Sequence, residues 1–123
     1  MSPWLLTAAL NGLVAVASGA FAAHGLQGRL DTHALSIFET AARYHMYHAL
    51  AIGLAAFAIR DAAAGAATVA SAFFLAGILL FSGSLYLLAL TGAKGFAFVT
   101  PFGGVCFLIG WGALALAAMR LKV

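Results

Sequence analysis

Four long apolar runs separated by short polar breaks set the plan of this chain. Residues 4–23 contain no charge, and a helix of about 20 apolar residues is about 30 Å long, the thickness of a bilayer core. Residues 41–59, 66–91 and 98–119 repeat the pattern, so four membrane-spanning helices are predicted. Small residues punctuate each run at helical spacing. Ala8, Gly12, Ala15, Gly19 and Ala23 form a stripe in the first, and Ala70, Gly77, Ser84 and Thr91 recur every seventh residue in the third. Gly103, Gly110 and Ala117 do so in the fourth. Such seams let helix backbones approach closely where lipid removes the hydrophobic drive to associate. Asn11, polar within the first run, predicts an interhelical hydrogen bond. Ala20-Phe21-Ala22 has the form of a signal-peptide cleavage site, but no Lys or Arg precedes the apolar run, so it is read as a helix.

The stretch from His24 to His48 breaks the pattern. It holds all four histidines (His24, His33, His45 and His48) and four of the charged residues, Arg29, Asp31, Glu39 and Arg43. Residues 24–40 predict a short interfacial segment between the first two helices, or an extended start to the second of them. Ser36 and Glu39 fit a capping box before the apolar run, with Asp31 or Thr32 as an earlier cap. Glu39 and Arg43, four apart in the favourable order, are expected to form an interfacial ion pair. Further on, Ala42, His45, Ala49, Gly53 and Ala56 share a face, which turns His45 toward a helix contact, with His48 beside it. Pro101, in the first turn of the last run, is compatible with a helix start.

Composition removes the soluble classes. The 123 residues are 65% hydrophobic and 7% charged, with mean hydropathy +1.09, against about 25% charged for soluble domains. One domain over residues 1–123 follows: an all-α integral membrane protein, a four-transmembrane-helix bundle. The net charge of +3 comes from scattered cations, not a patch, so no nucleic-acid partner is expected. The single cysteine, Cys106, lies in an apolar run and reads as packing. Arg60, Arg120 and Lys122 fall on one side of a four-span chain and Arg29 and Lys94 on the other, joined by Arg43 if it reaches the interface, so three cations against two or three lean the topology toward both termini inside.

Helix direction gathers the polar groups into one half of the bilayer. His24 ends the first span, His45 and His48 lie early in the second, Ser82, Ser84 and Tyr86 late in the third, and Thr100 opens the fourth. Intramembrane polar groups face a bundle interior or a wet cavity. A polar pocket formed by His24, His45, His48, Ser82, Ser84, Tyr86 and Thr100 is therefore predicted.

Several segments together carry a resemblance. Gly19-Ala20-Phe21-Ala22-Ala23-His24-Gly25-Leu26, Arg43-Tyr44-His45-Met46-Tyr47-His48-Ala49-Leu50, Phe81-Ser82-Gly83-Ser84-Leu85-Tyr86 and Thr100-Pro101-Phe102-Gly103-Gly104 resemble the YgdD-like family of small membrane proteins, along the whole chain. The resemblance implies a four-helix protein of the bacterial inner membrane and carries no assigned biochemical role. It also implies histidine at the positions of His24 and His48 and commonly glutamine at that of His45, which fits poorly with His45 as an obligatory metal ligand.

Three classes of function fit these residues. The favoured one is a structural or regulatory membrane subunit that binds lipid, another membrane protein or further copies of itself, because the small-residue seams exceed what a minimal bundle needs. The alternative is a small proton- or ion-coupled transporter or channel working as an oligomer, since histidine titrates in the physiological range, although no carboxylate lies within the first span. Less favoured is metal or haem ligation by His45, His48 and His24. No cofactor and no metal are expected. Nor is an enzyme, for no nucleophile, base and acid stand at usable spacing.

Overall fold

The computed structural model describes residues 1–122, which form four long helices joined by short turns. Helix α1 spans Pro3–His24, with Ser2 Oγ accepting from the Leu5 amide at 3.2 Å. Helix α2 spans Thr32–Phe57. Helix α3 runs Asp61–Thr91, and a fourth helical stretch, Lys94–Arg120, comprises a 3₁₀ turn, Lys94–Phe98, and α4 proper, Thr100–Arg120. Helix α2 starts well before residue 41. Asp31, in extended backbone, accepts the Ala34 amide at 2.7 Å, so the helix is capped there and Ser36 and Glu39 fall inside it. The expected interfacial segment thus shortens to the loop around Gly25–Asp31.

The helices pack in sequence order, α1 on α2, α2 on α3 and α3 on α4. Helices α2 and α3 are the inner pair. That position explains the composition of α2. Three helical stretches, Pro3–His24, Asp61–Thr91 and Lys94–Arg120, are long and apolar enough to cross a membrane. Helix α2 is of similar length but holds Arg43, His45 and His48, and both imidazoles are buried against neighbouring helices. The outward faces carry exposed Leu10, Leu13, Val16, Leu79, Leu87, Val105 and Leu108, an apolar surface suited to lipid.

Helices α3 and α4 interlock through their small-residue seams. Ala70, Gly77, Ser84, Gly103, Gly110 and Ala117 are all buried, while Thr91 is exposed at the helix end. Gly77 faces the Phe107 ring, and a side chain at Gly110 would begin 2.6 Å from the Phe74 ring. Gly103 sits on backbone: a Cβ there would lie 2.7 Å from the Leu80 carbonyl carbon. The segment it touches, Ile78–Ser82, is a π-helical turn inside α3, the extra-residue bulge that long helices carry at irregular or functional points. On α1 the buried stripe is Ala8, Ala15 and Ala22, so Ala22 rather than Ala23 closes it.

Candidate functional site

The inner position of α2 decides what its histidines meet. His45, 5% exposed, turns toward α1 and the last turns of α3. Its Nε2 lies 2.9 Å from Asn11 Oδ1 and its Nδ1 3.0 Å from the Tyr86 hydroxyl. Asn11 Nδ2 donates to the Thr7 carbonyl at 2.9 Å, which fixes the amide orientation and leaves Oδ1 as the acceptor. His45 therefore donates from Nε2–H to Asn11 and accepts the Tyr86 O–H at Nδ1, a neutral imidazole with both nitrogens used. Ser18 of α1 flanks the same phenol.

His48, 4% exposed, turns the other way. Its Nδ1–H donates to the Tyr44 carbonyl at 2.7 Å, and its Nε2 accepts the Trp111 indole N–H at 3.1 Å. The ring stacks on Phe107 at 3.4 Å between centroids and 6° between planes. His48 thus carries the opposite tautomer from His45, and it too has no lone pair free for a metal or a transferred proton.

The single polar pocket expected from the sequence is therefore divided. Three residues on along α2, the second imidazole points to a different neighbouring helix because the inner helix has partners on two sides. Ser84 and Thr100 form a third group: their hydroxyls lie 2.6 Å apart and one donates to the other, with the Phe81 carbonyl 2.9 Å from Ser84 and the Phe96 carbonyl 3.4 Å from Thr100 as acceptors for the remaining proton. Ser82, in the π-turn, is fully buried, and its hydroxyl has no partner among the described residues. His24 is exposed where α1 ends and joins none of these groups. Glu39 and Arg43 are both exposed on α2, and no ion pair forms among the described residues. At an exposed site such a pair is worth a few tenths of a kcal/mol, too little to hold two long side chains together.

What these networks leave open is a groove. Between α2, α3 and α4 lies a space of about 600 Å³ whose floor is His48, Phe81, Phe107 and Trp111 and whose walls include Tyr44 and Tyr47. Leu50, Leu54 and Leu108 form its rim and are 62%, 59% and 73% exposed, so it opens sideways, along the helices. Nearly all its surface is apolar, because Trp111 and Tyr44 have already taken the two imidazole nitrogens. A second space of about 450 Å³ lies nearer the α3–α4 turn, between Asp31, His33 and Ile37 on one wall and Leu88, Lys94 and Phe98 on the other.

The model of a family described as "Protein of unknown function (DUF423)" matches residues 18–104. The chain belongs to the DUF423 family. Relatives over nearly the full length agree: it is 42% identical over 121 residues to the UPF0382 membrane protein YwdK of Bacillus subtilis, covering 98% of each chain. It is 44% identical over 120 residues to the UPF0382 membrane protein SAB0533 of Staphylococcus aureus, again 98% of each. With the UPF0382 inner membrane protein YgdD of Escherichia coli it shares 42% identity over 118 residues, 96% of this chain and 90% of that one. No solved structure matches the chain. Membership of DUF423 agrees with the resemblance read from the motifs, and with three helical stretches able to span a bilayer.

In this DUF423 chain, two kinds of residue escaped the sequence. Trp111 stands in an apolar run with nothing to mark it, yet it is the hydrogen-bond donor that fixes His48. Tyr44 and Tyr47 lie in a segment that carries the resemblance but have no role assigned by it, and Phe107 lies in no such segment. The available signal was spacing: Tyr44, Tyr47, His48, Ala51 and Leu54 recur at three and four residues on α2, as do Gly104, Phe107, Leu108 and Trp111 on α4.

Proposed function

We propose that this chain is a non-enzymatic subunit of the bacterial inner membrane that crosses the bilayer four times, with both termini inside, and binds a membrane lipid in the groove between α2 and α4. The groove carries this reading. Its volume of about 600 Å³ falls in the range of small-molecule sites, about 300–1,000 Å³. Its floor is largely aromatic, with His48 and Phe107 buried, and its exposed leucine rim lies within two of the proposed spans, where acyl chains would be the solvent. A chain that enters sideways needs no polar partner, and the floor offers none.

The inward polarity of α2 supports the fourth span. A helix whose histidines bond to neighbours can cross lipid with fewer apolar residues than one that faces it. The closed histidine networks favour a binding role over proton-coupled transport, because neither imidazole has a lone pair open to a passing proton.

A photoactivatable amino acid at Leu108, introduced in growing cells, tests the reading in native membranes. A lipid adduct, resolved by mass, is the expected product. A protein adduct at that position in place of lipid would overturn lipid binding in favour of a partner subunit. Reporter fusions after Arg60 and after Lys94 are expected to report opposite sides of the membrane, and the same side for both would remove the third crossing.

A further inference from the structure

We infer that the second cavity, at the membrane boundary beside the α3–α4 turn, receives the headgroup of a zwitterionic phospholipid bearing a primary amine. The inference rests on the groove reading above and names the lipid class it takes. Asp31 and Lys94 stand on the two walls of one space of about 450 Å³. Both are exposed, and they form no ion pair with each other or with any other described residue. Asp31 uses Oδ1 to cap α2 through the Ala34 amide, which leaves its second oxygen to accept from a ligand. The ammonium of Lys94 donates no hydrogen bond among the described residues. A carboxylate and an ammonium held apart in one cavity complement a ligand with the reverse pair, a phosphate for Lys94 and an ammonium for Asp31.

The rest of the cavity identifies that ligand as an amphiphile rather than a free ion. Ile37 and Phe98 give it apolar walls. Ile37 of this cavity and Tyr44 of the groove are seven residues apart on α2, two turns of one face, about 10 Å along the axis. A headgroup between Asp31 and Lys94 thus stands above the groove that would take its chain. Headgroup chemistry follows from the carboxylate. A primary ammonium donates N–H to Asp31, a quaternary choline has no N–H to give, and a glycerol headgroup leaves the carboxylate facing the phosphate without a cation.

The test uses the full chain reconstituted with equal amounts of dioleoyl phosphatidylethanolamine, phosphatidylglycerol and phosphatidylcholine, released gently, with bound lipid counted by native mass spectrometry. The ethanolamine lipid is expected to be enriched about five-fold over each competitor, the factor one exposed ion pair supplies. Asp31→Asn keeps a good helix cap and is expected to bring that preference below about two-fold without lowering total lipid. Lys94→Gln is expected to lower retention of all three, which share the phosphate. Equal retention of the three lipids by the unaltered chain, a preference that survives Asp31→Asn, or no effect of Lys94→Gln would each overturn the headgroup assignment. The groove reading is separated by Gly104→Trp, which fills the groove from a position with open space around it: if all lipid persists there, the groove fails, whatever the headgroup result.

Discussion

Replacing His45 distinguishes a histidine that holds helices together from one that reacts. The ring makes two interhelical bonds, to Asn11 at 2.9 Å and to Tyr86 at 3.0 Å, so it ties α2 to α1 and to α3. Side-chain hydrogen bonds between membrane helices average about 0.6 kcal/mol and reach about 1.7, which gives about 1–3 kcal/mol for the two. His45→Ala adds the loss of packing around a nearly fully buried ring, so about 2–4 kcal/mol of destabilisation is expected in all. His45→Gln keeps one donor and one acceptor on a side chain of comparable reach, and less than about 1.5 kcal/mol is expected. Reversible unfolding in mixed micelles, titrated with a denaturing detergent and followed by helical circular dichroism, measures both. A coupling energy of about 0.6–1.7 kcal/mol between His45→Ala and Tyr86→Phe in a double-mutant cycle should accompany them. If His45→Gln is as damaging as His45→Ala, the hydrogen bonds are not what matters. If His45→Ala lies within about 0.5 kcal/mol of the parent, the network does not stabilise the fold.

The interlock of α3 and α4 makes a contrast between adjacent glycines. Gly103→Ala must displace the backbone of the π-turn and is expected to cost about 1–3 kcal/mol, whereas Gly104→Ala enters open space and should be nearly neutral in the same unfolding assay. Equal effects would show that Gly103 does not set the helix approach. Ser82→Ala removes a buried hydroxyl that has no partner among the described residues and is expected to be neutral or stabilising by about 1 kcal/mol; a clear loss of stability would mean that the hydroxyl bonds to something. Trp111→Phe leaves the buried His48 Nε2 without its donor at an expected cost of about 1–3 kcal/mol in the same assay. Nitrogen NMR of the labelled parent should show Nδ1–H at His48 and Nε2–H at His45, and the same tautomer at both would contradict the two networks.

Much of the helical framework was legible because lipid imposes simple rules. Uncharged runs of span length marked α1, α3 and α4, and the sevenfold spacing of Ala70, Gly77 and Ser84 and of Gly103, Gly110 and Ala117 marked the surfaces that meet. Asn11 was readable as an interhelical hydrogen-bonding residue because a lone amide in lipid has few other uses. The start of α2 was obscured by competing caps, and Asp31 prevailed over Ser36 because its backbone is already extended at the end of the loop. The π-turn left no mark, since Ile78–Ser82 reads as uninterrupted apolar helix. The candidate site suffered most. Helix direction ordered His45, His48, Ser84 and Tyr86 along the helix axes, but that order does not say which neighbour a side chain faces. An inner helix with partners on two sides sent the two imidazoles apart. His24 was drawn in by sequence proximity and lies exposed at a helix end, while the groove depends on side chains from three helices with no shared motif.

The groove is the account's central claim, and retention of native lipid tests it most directly. The chain is extracted from its own membrane in a mild detergent and weighed intact, beside the Gly104→Trp variant. One bound lipid on the parent, lost from the variant while its helical content and unfolding midpoint stay unchanged, is the predicted result. A parent that emerges without lipid, or a variant that keeps lipid equally well, would contradict it.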